Sequence, residues 1–332
     1  MKLAKNSMKI MLALTVALAA SMACTADDRY AEGAFDRTLK TSGAVDLTVE
    51  TGSGSISVHA GDGSSVHVSA KIRVNEDWHV TMAEAQEKVK KLEANPPIEQ
   101  SGNTIHIGEI RDEELRRNVS ISYEISAPAD TKLRSSTGSG SQTLEGLKGP
   151  VDTSTGSGGI HATKIGSEVH ATTGSGTITL DDVNGSVRAS TGSGGIHANG
   201  IAGGVTANTG SGTVEISQTA PGDVNVETGS GGVELHGVQG KVRVHAGSGS
   251  LHAEGKPTGD WDFHTASGSV SLRLPSDAAF NLEASTISGS ISTTHELTVT
   301  GEIGGRHELH GKAHGGGPVI SAHTSSGSIR VE

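Results

Sequence analysis

The sequence predicts an all-β fold, a single right-handed parallel β-solenoid of about 18 residues per coil, with one amphipathic helix inserted in its N-terminal part. The tetrapeptide TGSG recurs with its Thr at 137, 155, 173, 191, 209 and 228, followed by Ala246 and by degenerate copies at Thr265, Thr286 and Thr324. The steps are 18 or 19 residues until the last two, 21 and 38, and a fixed period of this size marks a stacked array. Side chains alternate around each copy. Four residues before the Thr stand Leu133, Val151, Val169, Val187, Val205, Val224, Val242, Trp261 and Leu282, and five after it Ile160, Ile178, Ile196, Val214, Val233, Leu251, Val270 and Ile291. Polar residues fill the positions between, so each repeat carries two short strands of period two around a Gly-Ser-Gly corner. Composition agrees: 47 Gly but only two Trp, two Tyr and three Phe among 332 residues leave material for a thin, repetitive core.

Along the chain, residues 1–23 read as an export signal, with Lys2, Lys5 and Lys9 ahead of an apolar run that ends at Ala20-Ser21-Met22-Ala23. Cys24, the sole cysteine, follows directly, where a bacterial lipoprotein signal places the thiol that receives lipid. Ser21 stands where such signals carry Leu, so cleavage after Ala23 without lipid is the alternative. Residues 24–34 form a linker. Residues 35–130 are expected to be irregular solenoid coils. There VDLTVETGSGSISV and SVHVSAKIRV are coil-like, and TMAEAQEKVKKLEANPP is a helix over about 82–94. Thr81 and Glu84 make its capping box, Met82, Ala85, Val89 and Leu92 its apolar stripe, and Pro96-Pro97 its stop. Such a helix is expected over an end or a face of the stack, closing an edge that would otherwise pair with another chain.

Residues 131–332 are the regular repeats. A third apolar position, Leu147, Ile165, Val183, Ile201 and Val238, precedes a second glycine corner. A left-handed hexapeptide helix would need an apolar residue at every sixth position, whereas Ile178, Leu180, Val183 and Val187 fall at irregular gaps. About eleven coils from Leu133 onward, with the 38-residue step counted as two rungs, would make a rod roughly 50 Å long at ~4.8 Å per coil.

These residues resemble a family of bacterial envelope proteins known as the "putative adhesin" strand-repeat family, a domain of unknown function. The resemblance rests on TGSG[GST][IV]x[ALI] from Thr137 to Ala253, on VETGSGSISVHAGDGSSVHV at Val49 to Val68, on ISYEISAPADTKL, and on the closing GGGPVISAHTSSGSIRVE. It implies a β-solenoid, export to the cell envelope and often a lipid anchor, and it implies no catalytic residues.

The chemistry of the residues points the same way. TGSG lacks the Lys of a phosphate-binding loop and is followed by a strand, so the glycines read as corners. The net charge of -11 argues against a nucleic-acid partner. No cofactor or resident metal is expected. The weak metal candidates are Glu227, His245 and His264, which stack in successive coils, and the tail cluster His307, His310 and His314. Three ligands in a line make poor tetrahedral geometry, and a solvated polar face accounts for them better. Asp181 and Asp182 form the only adjacent acid pair on a regular coil, and coils this short leave little length for the walls of a catalytic cleft. The expectation is therefore a non-enzymatic, exported envelope module, adhesin-like or structural. Its partner would be a surface protein or glycan, and its membrane contact only a lipid on Cys24. A second reading is a stress or signalling accessory that meets a protein partner through Ala85 to Leu92, and a third, less favoured, is a carbohydrate-active enzyme.

Overall fold

The structure, a computed structural model, describes residues 29–61, 63–299 and 307–332. The export signal and Cys24 lie outside these residues. Among the described residues two sheets of fourteen strands face each other across one hydrophobic core. One, here called the first sheet, collects the strands that lead into the Thr of each corner. The second sheet collects those that leave it.

Each regular coil follows from its side chains. In the coil that starts at Val151, the strand Val151–Thr155 buries Val151, Thr153 and Thr155, and the strand Ile160–Ile165 buries Ile160, Ala162 and Ile165. The next coil repeats this in register, with Val151 opposite Val169 and Ile160 opposite Ile178. Like therefore stacks on like. Large and small residues alternate along one inner column, Leu144, Ala162, Leu180 and Ala198, which lets a thin core interdigitate. Toward the C-terminal end Trp261 and Phe263 take two inward positions, edge to face at 6.1 Å, with the Trp261 indole N–H donated to the Gly240 carbonyl at 3.1 Å.

The corner explains the motif. The Thr155 hydroxyl is buried, donates to the Gly140 carbonyl of the preceding coil at 2.9 Å, and accepts the Gly158 amide of its own coil at 3.1 Å. Thr173, Thr191 and Thr209 repeat the donation to Gly158, Gly176 and Gly194. Glycine is needed because the coils touch here: a β-carbon on Gly158 would lie 1.8 Å from the Gly140 oxygen. The first glycine of each corner spends its amide on the ladder, as in Gly156 to the Thr137 carbonyl at 3.1 Å.

Spatial order departs from chain order at both ends. The corner at Thr51 is the next coil of the same stack, with Thr51 opposite Thr137 and the Thr137 hydroxyl bonded to the Gly54 carbonyl. Between these two coils the chain runs out to the end of the stack and back. SVHVSAKIRV is no coil: the strand Ser65–Asn75 pairs antiparallel with both Tyr30–Lys40 and Val119–Pro128. The alternation of buried residues that suggested a coil is what any half-buried strand shows. At the other end the last coil, Val319–Ser326 with Ile329–Val331, slots between the coil at Trp261 and the coil at Phe280. Among its described residues the 38-residue step therefore contains no hidden parallel rung. It contains the strand Glu308–Ala313, which pairs antiparallel with Phe280–Ser288.

Helix α1 (Met82–Ala94) has the expected capping box at Thr81 and buries Ala85, Val89 and Leu92. It packs on the strands Tyr30–Lys40 and Ser65–Asn75, where the second sheet extends beyond the first, and so completes the core at that end. It covers a face rather than the outer edge, which remains the strand Tyr30–Lys40. A second helix, α2 (Glu113–Arg116), is one turn capped by Asp112.

Candidate binding surface

The outward residues form ladders along both sheets. On the first sheet one column runs Arg134, Asp152, His170, Arg188, Thr206, Asn225, Arg243 and Asp262, each in register with the next. Along it lies a shallow groove of about 580 Å³ that crosses six coils and is lined by Lys132, Arg134, Asp152, Glu168, Arg188 and Asp223 among others. Three cations and three carboxylates balance there, so the groove does not select a ligand by net charge.

A second column on the same sheet holds one predicted cluster and extends it. Glu227, His245 and His264 do stack in successive strands, and His323 follows them because the last coil docks on the coil at Trp261. The His245 and His264 rings lie 5.8 Å apart, His245 Nε2 is 3.7 Å from Asp262 Oδ2, and His323 Nδ1 is 2.7 Å from the Ser285 hydroxyl. The four side chains point out in a line. Sequence reasoning missed His323, since a column read in chain order places Ser285 after His264; the shared HTSSGS and HTASGS phrases were the available signal.

The tail histidines do not converge. His310 faces Glu283 across an antiparallel pair, His307 precedes that strand, and His314 follows it with its ring on the Ser276 carbonyl at 3.0 Å. Among the described residues no group of three or more His, Cys, Asp or Glu is placed to hold a metal ion.

On the second sheet His161 is exposed, with Nε2 3.0 Å from the Thr163 hydroxyl and Nδ1 4.0 Å from Asp181 Oδ2. Asp181 also accepts from the Asn199 amide at 3.4 Å, while Asp182 turns the corner with φ near 57°. These contacts tie neighbouring coils together on an open face. Glu215, Glu234 and His252 line up in the adjacent coils, with Glu215 3.2 Å from His197. The apolar stripe of α1, Ala85 to Leu92, is spent on the core, which leaves Gln86, Glu87, Lys90 and Lys91 toward solvent.

Known proteins supply the remaining comparison. Residues 183–332 match the family model described as Toastrack DUF4097. Among solved structures the chain is similar to a "putative cell adhesion protein" from Clostridium sporogenes, at 12% identity over 91% of this chain and 99% of that one, TM-score 0.20. It is also similar to a "putative lipid binding protein" from Parabacteroides distasonis, at 12% identity over 90% and 96%, TM-score 0.35. A third is a "putative adhesin" from Bacteroides fragilis, at 8% identity over 90% and 97%, TM-score 0.24. No curated protein matches. The repeats that resemble the strand-repeat family thus continue into residues 183–332, the segment that matches the Toastrack DUF4097 model, a domain of unknown function.

Proposed function

We propose that the chain is an exported, non-catalytic module of a bacterial cell envelope, held to a membrane by lipid on Cys24 and offering its outward columns to a surface protein or glycan. One observation carries this reading: the polar columns run in unbroken register over successive coils, beside a groove that is long and shallow, with no loops on the regular coils to wall a cleft. Such a surface suits an extended partner that contacts many equivalent side chains weakly, and avidity rather than one deep pocket would supply affinity. The test compares the parent chain with the triple variant Arg134→Glu, Arg188→Glu, Arg243→Glu for binding to intact bacterial surfaces and to a glycan panel. Saturable binding by the parent with a loss of tenfold or more in the variant is expected, on the order of 1.4 kcal/mol. Equal binding by both would exclude this face. Lipidation has its own check: Cys24→Ala should move the protein from the membrane to the soluble fraction, and unchanged partitioning would sink the anchor.

A further inference from the structure

Among the described residues the most exposed large apolar side chain lies near Arg29, five residues after Cys24. Trp78 is 94% exposed, whereas the other tryptophan, Trp261, is fully buried. Trp78 is displayed rather than left over. Asp77 accepts the amides of His79 and Val80 at 2.8 and 2.9 Å, its own amide bonds the Val80 carbonyl at 3.0 Å, and Val80 is buried in the core. These bonds fix a tight turn whose free corner is the indole. Bonds to the turn also hold the Asp77 carboxyl below its ordinary value, the Asn118 side chain foremost and the His79 amide next.

The same turn is stitched to the start of the fold. Tyr30 pairs with Asn75, and the Glu76 amide donates to the Arg29 carbonyl at 2.7 Å, so Trp78 lies two residues from a direct bond to Arg29. Cys24 precedes Arg29 by five residues, and five residues span at most about 17 Å of extended chain. A lipid on Cys24 would therefore keep Arg29 within about 17 Å of the bilayer surface. An indole combines an apolar ring with one N–H donor, which favours the headgroup region of a membrane over bulk water. With the chain already tethered, insertion is an intramolecular event and needs little intrinsic affinity. Glu76 and Asp77 precede the indole and Arg29 is bonded to the same segment, so the local charge is mixed and a zwitterionic surface meets it without a net charge of its own.

We infer that Trp78 is a second membrane contact, inserted into the headgroup layer of the bilayer that holds the Cys24 lipid. It fixes which end of the coil stack faces the membrane. The inference rests on the lipid anchor proposed above, and one experiment separates the two. The full chain, produced with its own leader and purified in detergent, is reconstituted into phosphatidylcholine vesicles with or without brominated acyl chains, alongside Trp78→Phe. Flotation with the vesicles reports the anchor. Tryptophan emission reports the contact, because buried Trp261 gives the Trp78→Phe background.

The expected result is flotation of both proteins, with acrylamide quenching of the Trp78 component reduced about twofold or more in vesicles and quenching of that component by brominated lipid. Flotation with Trp78 as open to acrylamide as in the unlipidated Cys24→Ala protein in detergent-free buffer overturns the inference and leaves the anchor standing. Protection from acrylamide without quenching by brominated lipid also overturns it, since a second copy or another protein then covers the indole. Failure to float overturns the anchor and the inference together.

Discussion

At Gly158 and Gly159 two adjacent glycines of one corner do different work. A β-carbon on Gly158 would sit 1.8 Å from a backbone oxygen that cannot move without opening the stack, whereas one on Gly159 would meet nothing closer than the Thr177 oxygen at 3.5 Å. Gly158→Ala should therefore cost about 3 kcal/mol, and Gly159→Ala should stay within about 0.5 kcal/mol, in urea denaturation followed by circular dichroism. Equal costs would mean that the coils are not in contact at the corner. The recurrence of TGSG made this corner legible, but not the bond from each Thr to the coil before it, because a contact between coils leaves no trace within one repeat. Tyr123 is a second residue-scale case. Its hydroxyl is buried without a hydrogen-bond partner, its ring meets Phe35 edge to face at 6.5 Å, and burial raises its ionisation well above the usual range. Tyr123→Phe removes the unpaired oxygen and keeps the ring, so it should stabilise the fold by about 1 kcal/mol.

At the scale of one element, α1 shows how a short helix replaces strands. It was readable because Thr81, Glu84 and the Ala85, Val89, Leu92 stripe obey helical spacing, and the structure uses each of them. One-turn α2 was not readable, since four residues are too few for a periodic pattern. The Glu84 carboxylate accepts from the Thr81 amide and hydroxyl at 2.8 and 2.9 Å, and these bonds, the amide first, hold its ionisation below the ordinary value of 4.5. A depressed carboxyl contributes stability that is present above its unfolded value and is lost as pH falls through its lower folded value. Thr81→Ala should cost about 1 kcal/mol at neutral pH. Its deficit relative to the parent should narrow below pH 4.5 as Glu84 takes up a proton. Hydrogen exchange of the α1 amides at neutral and acid pH checks both statements, and a deficit independent of pH would mean that the Thr81 hydroxyl does not meet the Glu84 carboxylate.

For the whole molecule the repeat period announced a stack but not its order. A parallel coil needs only matching columns, and the columns at Thr51, Thr286 and Thr324 match all the others; nothing local records which neighbour a terminal coil chooses. The same blindness hid His323 from the histidine column. The chosen order has a mechanical consequence. The final coil, Val319–Ser326 with Ile329–Val331, holds Ile320 against both Trp261 and Leu282 and the Thr324 hydroxyl on the Gly268 carbonyl. Among the described residues it is the only bridge in either sheet between the coil at Trp261 and the coil at Phe280. In an array where each coil contacts only its neighbours, removing an inner rung detaches everything beyond it and leaves the rest standing. Truncation after residue 318 should therefore strip hydrogen-exchange protection from Phe280–Ser288, Ile291–Thr293 and Glu308–Ala313. Protection from Val151–Thr155 to Leu251–Gly255 should survive, and Trp261, uncovered on one side, should shift its emission to the red. Stacking in chain order would give the opposite result, with Phe280–Ser288 still protected against Trp261–Ser267 and the damage confined to the missing end.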